Sequence, residues 1–134
     1  MNITHFDDLL QVAREQAEPQ RLLFVFVAAQ LPSDATPAER QRFEEAGGGA
    51  LAPVLCVDKL PEELDGFASL AEESRRTGIA WDLVFAAGMS GRAGFAPGPD
   101  EAEQPLKMMV GAIETGSIGQ FLAFDQQGQT VAFY

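Results

Sequence analysis

The chain has 134 residues, 46% of them hydrophobic and 22% charged, which is enough for one globular domain with its own core and too short for two full ones. Twenty Asp and Glu against nine Lys and Arg leave a formal charge of −11, which repels phosphate backbones and anionic lipid and argues against nucleic acid or membrane as partners. Cys56 is the only cysteine, so an intramolecular disulfide, a dithiol redox pair and a multi-thiolate metal centre are excluded within one chain.

The opening residues carry no basic region followed by an apolar stretch, and the longest apolar run, residues 22–29, is too short to cross a bilayer. The expectation is a cytoplasmic protein. Thr4 is placed to cap a first helix, with Asp7 favouring its positive end and Phe6, Leu9, Leu10, Ala13 and Ala17 along one face; the helix should end near Glu18-Pro19. Residues 22–28 are continuously apolar and rich in β-branched and aromatic side chains, as expected of a central strand covered on both faces.

Thr36-Pro37-Ala38-Glu39 combines an N-cap hydroxyl, proline at the first helical position and a glutamate able to close a capping box, predicting a short helix that stops at Gly47-Gly48-Gly49. A strand over residues 51–57 follows. Its Pro53 cannot donate to a ladder and argues for an edge or a strand start. Cys56, in the apolar run Val54-Leu55-Cys56-Val57, reads as a small buried hydrophobe.

A third helix should open at Leu60-Pro61-Glu62-Glu63-Leu64, stapled by Leu60 on Leu64, and end with Arg75, Arg76 and Gly78. Residues 80–87 form a third strand, in which Asp82 reads as an edge residue facing water. Residues 88–99, with four glycines and two prolines, read as a loop. Asp100-Glu101-Ala102-Glu103 should cap a fourth helix carrying Leu106, Met109, Val110 and Ile113, closed by Gly116. Two short aromatic strands, residues 121–124 and 130–133, flank a five-residue connection with Gly128 near its end and predict a β-hairpin.

The order α-β-α-β-α-β-α-β-β describes a single compact α/β domain, residues 1–134, with helices packed on a mixed sheet and a C-terminal β-hairpin. In such sheets ligands sit beyond the carboxyl ends of the strands, which selects Gln30, Asp58 with Lys59, and residues 89–94. Ser90, Gly91, Arg92 and Gly94 offer glycine-freed amides, a hydroxyl and a guanidinium suited to a small anionic ligand, without the spacing of a phosphate loop. Met89 and Phe95 could make the same loop adhesive. Phe121, Phe124, Phe133 and Tyr134 of the hairpin are candidates for pairing with a second copy or a partner. The paired acids mostly lie on polar helix faces or in first turns, where they serve solubility and capping. His5, the only histidine, reads as a surface side chain. No catalytic residue, metal site or cofactor is assigned.

The opening Asn2-Ile3-Thr4-His5-Phe6-Asp7-Asp8-Leu9-Leu10, the strand Leu22-Leu23-Phe24-Val25-Phe26-Val27 and the stretch Gly116-Ser117-Ile118-Gly119-Gln120-Phe121-Leu122-Ala123-Phe124-Asp125 resemble a family of small, functionally uncharacterised proteobacterial proteins often named ribonucleotide reductase alpha-subunit-like. The resemblance runs over nearly the whole chain. It implies at most an association with that system, because a catalytic alpha subunit needs a radical-forming cysteine and a redox-active cysteine pair, and one cysteine cannot supply them. The expected function is therefore non-enzymatic protein-protein interaction, as a homodimer or an accessory subunit. The alternatives are an anionic-metabolite binder or minor enzyme using the 88–99 loop, and a regulator associated with ribonucleotide reductase.

Overall fold

The apolar run forms the strand Gln20–Gln30, β1, in a computed structural model that describes residues 3–30 and 50–131. Successive strand side chains point to opposite faces. Leu22, Phe24 and Phe26 accordingly enter one buried cluster and Leu23, Val25 and Val27 another. Helices cover both faces of β1, which is why residues 22–28 carry no polar side chain.

The strands Ala50–Lys59, β2, and Leu83–Ser90, β3, flank β1, and the short strand Leu122–Phe124, β4, lies beyond β3, giving the order β2-β1-β3-β4. Every pairing is antiparallel. This corrects the expected mixed sheet, and the cause is the position of β1. β2 and β3 run in the same direction and are joined through a helix, as in a parallel crossover, but β1 lies between them and pairs antiparallel with each. Pro53 does sit on an edge strand of these four, opposite Val27, where a register slip leaves Val54 as an extra residue.

One face of the sheet is covered by the helix Phe6–Arg14, α1, the 3-10 turn Pro61–Glu63 and the helix Phe67–Arg76, α2. Phe6 is the centre of this layer, its ring centroid 5.3 Å from Phe67, 5.3 Å from Phe124 and 5.5 Å from Phe24. The N-cap of α1 is His5, not Thr4: the Nδ1 of His5 accepts the Asp7 amide at 3.1 Å, and the Asp8 carboxylate accepts the His5 amide at 3.0 Å. The helix ends at Arg14, four residues before Glu18, where Arg14 donates to the Leu64 carbonyl at 2.7 Å. Ala17 is left exposed.

The expected continuous helix from Leu60 is broken. Leu64 is extended and buried, and α2 starts only at Phe67, whose amide donates to Asp7 Oδ1 at 2.9 Å. The first helix thus supplies the cap of the second, a tertiary contact that overrides the local staple. β3 likewise begins at Leu83 rather than Ala80, because Trp81 turns into the core, where its indole N–H donates to Ser74 Oγ at 2.8 Å and its ring packs on Phe26 at 4.9 Å. Asp82 is exposed ahead of β3, and β3 is an interior strand of the four, not an edge.

The opposite face is covered by the helix Pro99–Glu114, α3, which buries Ala102, Met109 and Ile113 against Leu23, Val25, Val27, Phe85 and Ala123. Its first turn closes when the Glu101 carboxylate accepts the Gly98 amide at 2.6 Å, with Pro99 at the position that needs no donor. After β4, Asp125 Oδ1 accepts the amides of Gln127 and Gln129 at 2.9 and 3.0 Å, turning the chain. The return arm is only partly strand-like: Thr130 bridges Phe124, while Gln129 bridges His5 and the Gly128 carbonyl accepts the Phe6 amide at 2.8 Å. The expected helix from Thr36, the run Gly47-Gly48-Gly49, and Phe133 and Tyr134 lie outside the described residues.

Candidate functional site

The antiparallel arrangement sorts the residues selected at the strand ends. Gln30 pairs with Ala50 at one end of the sheet, whereas Asp58, Lys59, Met89 and Ser90 come together at the other, beside Gln20 and Arg21. Gly88, Met89 and Ser90, expected in a loop, are strand.

Beyond Ser90 the chain makes a tight turn. Arg92 and Phe95 bond reciprocally, amide to carbonyl, at 2.9 and 3.0 Å, with Ala93 at φ 54° and Gly94 at φ 83° between them. Two successive positive φ values are the signature of a type I′ turn, and Ala93 holds a conformation unfavourable to a residue with a Cβ. The turn is tied down on both sides. The Gly91 amide donates to the Pro19 carbonyl at 2.8 Å and the Gly94 amide to Glu18 Oε2 at 2.9 Å. A Cβ on Gly91 would lie 2.1 Å from the Phe95 carbonyl oxygen, so only glycine fits there.

Arg21, which the sequence reading passes over, anchors the far side. Its side chain is 8% exposed; Nη1 meets Asp58 Oδ2 at 2.5 Å and Nε donates to the Pro97 carbonyl at 2.6 Å. It occupies the β1 face shared with Leu23 and Val25, so the alternation of the strand was the signal that could have placed it inward. Lys59 pairs with Glu73 at 3.0 Å.

The amides singled out for an anion are therefore already committed: Gly91 to Pro19, Arg92 to Phe95 and Gly94 to Glu18, while Ser90 Oγ accepts from Gln20 at 3.2 Å. Arg92 remains 92% exposed, and its guanidinium lies 3.9 Å from the Glu101 carboxylate. A cleft of about 220 Å³ runs between Met89, Arg92, Phe95, Pro97 and Glu101. Phe95 itself is 77% exposed.

The hairpin aromatics are placed differently. Phe124 is fully buried and belongs to the Phe6 cluster, which corrects its reading as an interaction residue. Phe121 is half-buried, packs edge-on against Phe85 at 6.4 Å, and borders a groove of about 520 Å³ with Leu9, Gln16, Gly88 and Leu122.

Cys56 is exposed, correcting the buried reading. It lies opposite Val25 on the α3 side of edge strand β2, at the base of a largely apolar groove of about 320 Å³ formed with Leu106, Val110, Lys107 and Glu103. Partial burial there pushes its thiol upward, away from a reactive thiolate. His5 is half-buried against Phe67 and bonded at both nitrogens: Nδ1 accepts from Asp7, so Nε2 carries the proton it donates to the Gln127 carbonyl at 3.1 Å. The amides of Thr4 and then His5 hold the Asp8 carboxyl below its ordinary value, and the hydrogen bond and charge of Arg75, with the charge of Arg76, lower Glu72. Among the described residues no three His, Cys, Asp or Glu side chains gather as a metal site, and no helix is long and apolar enough to cross a membrane.

The chain matches no family model, no curated protein and no solved structure.

Proposed function

We propose that the chain acts by protein-protein contact rather than by catalysis, and that the contact is made by the turn between β3 and α3. The observation that carries this reading is Phe95, a large aromatic side chain 77% exposed on a turn that Glu18, Pro19 and the Arg21–Pro97 bond hold in place. An aromatic anchor beside an arginine is the composition of an interface hot spot. A fixed turn also lowers the ordering cost of binding. Backbone strain tends to be retained where a shape is used, and Ala93 sits in the left-handed region within the turn that carries Phe95. A small anion held by the same loop has fewer donors on offer, since the local amides already have acceptors.

A photo-crosslinking residue in place of Phe95 tests the reading in living cells. Illumination should join position 95 covalently to a protein. An adduct yield no higher than from the same probe at exposed Glu114 sinks the proposal.

A further inference from the structure

Resting on that reading, we infer that the partner of the Arg92–Phe95 turn is a second copy of this chain, and that its receiving surface is the Cys56–Leu106–Val110 groove. The turn and the groove flank the same helix, α3: the turn leads into its start and the groove lies along its middle. A two-fold axis across α3 lets each copy insert its Phe95 into the other, so that one contact is made twice, as a closed dimer requires.

The chemistry matches at each point. The groove is walled by Leu106, Val110 and the Cys56 side chain, and its volume of about 320 Å³ exceeds the roughly 150 Å³ that suffices for a benzene ring in an apolar cavity. Its polar rim is Glu103 and Lys107, both exposed, which pair with each other at 3.2 Å one helical turn apart. Arg92 is correspondingly loose, 92% exposed and 3.9 Å from Glu101. A Phe95 ring seated in the groove brings Arg92 of one copy toward Glu103 of the other, an opposite-charge pair between chains that each carry a net negative charge. With −11 on each chain, two copies repel at long range, so this local pair is what selects the docking face.

Sedimentation of the whole protein over a concentration series reads the association. The parent should pass from monomer to dimer, and Phe95→Ser should weaken the association constant by about 30-fold or more, the size of an aromatic anchor truncation. Arg92→Glu and Glu103→Arg should each weaken it, and the double charge reversal should restore it. Alkylation of Cys56 should slow as parent concentration rises and stay constant in Phe95→Ser, because the inserted ring covers the thiol. A parent that stays monomeric, or a dimer indifferent to Phe95→Ser and to the charge reversals, overturns the inference. Crosslinks from position 95 separate the two readings. Adducts on the groove of a second copy support both, and adducts on another protein overturn self-docking while leaving the contact reading standing. An absence of protein adducts overturns both.

Discussion

The terminal hairpin and the β3–α3 turn both carry phenylalanine next to a tight reversal, yet the hairpin hides Phe124 completely while the turn leaves Phe95 77% exposed. What separates them is what lies behind each reversal. Behind Phe124 stand Phe6, Phe67 and Phe24, an aromatic cluster that the hairpin closes. Behind Phe95 stand the Pro19 carbonyl, the Glu18 carboxylate and Arg21, which bond the backbone of the turn and of Pro97 after it, and no aromatic cluster closes over its ring, which stays 77% exposed. One reversal is fastened by burying its side chains. The other is fastened by hydrogen bonds and a buried guanidinium, which leaves its aromatic ring available.

The largest expected effect follows from that contrast. Phe124→Ala should lower unfolding stability by about 3–5 kcal/mol, as for other buried phenylalanines, while Phe95→Ser should change it by no more than about 0.5 kcal/mol, as for exposed sites. Chemical denaturation of the two variants checks it, and similar losses would erase the distinction. Next comes Arg21→Ala, which strands Asp58 beneath the turn and frees Pro97. Removing one member of a buried pair costs roughly 3–5 kcal/mol, and because Asp58 is a quarter exposed the loss should fall near the lower end. Hydrogen exchange should rise first at Gly91, Arg92 and Phe95.

The smallest effects concern the fastening of the hairpin to α1. His5→Ala should cost about 1 kcal/mol as a lost N-cap, and His5→Asn should recover most of it. Acid probes the same cap. Asp8 is lowered by the Thr4 and His5 amides, so its contribution is fully present above the ordinary value of 3.8 and is lost as pH falls through the lower folded value. Melting between about pH 6 and pH 3 should therefore depend less on pH in Asp8→Asn than in the parent.

The sequence shows those features whose cause is local. β1 was legible because a strand covered on both faces must be apolar throughout, the edge place of β2 because Pro53 removes a donor, and α3 because its apolar residues keep helical spacing. Caps supplied from a distance were not: Asp7 reads as serving its own helix, and nothing near Phe67 or Gly94 reveals that Asp7 and Glu18 will bond them. The mixed-sheet expectation failed because helix-strand alternation records that β2 and β3 are parallel, not that β1 will lie between them. At the candidate site, the sequence drew attention to the segment that holds Arg92 and Phe95, but could not show that the glycine amides would be spent on the protein's own acceptors. Phe124 misled because a terminal aromatic strand looks the same whether its face closes a core or greets a partner.

The strap between α1 and residues 127–130 bears on how the chain is made. The Phe6 amide, the His5 ring and the Thr4 carbonyl find their partners at Gly128, Gln127 and Thr130, separations of up to 126 residues. During synthesis from the N-terminal end, the start of α1 and the floor of the Phe6 cluster therefore wait for nearly the whole described chain to emerge. Closure of this layer is a late event, and contacts spanning that much sequence make it slow relative to the local β3–α3 turn, which can form as soon as residues 91–95 are free.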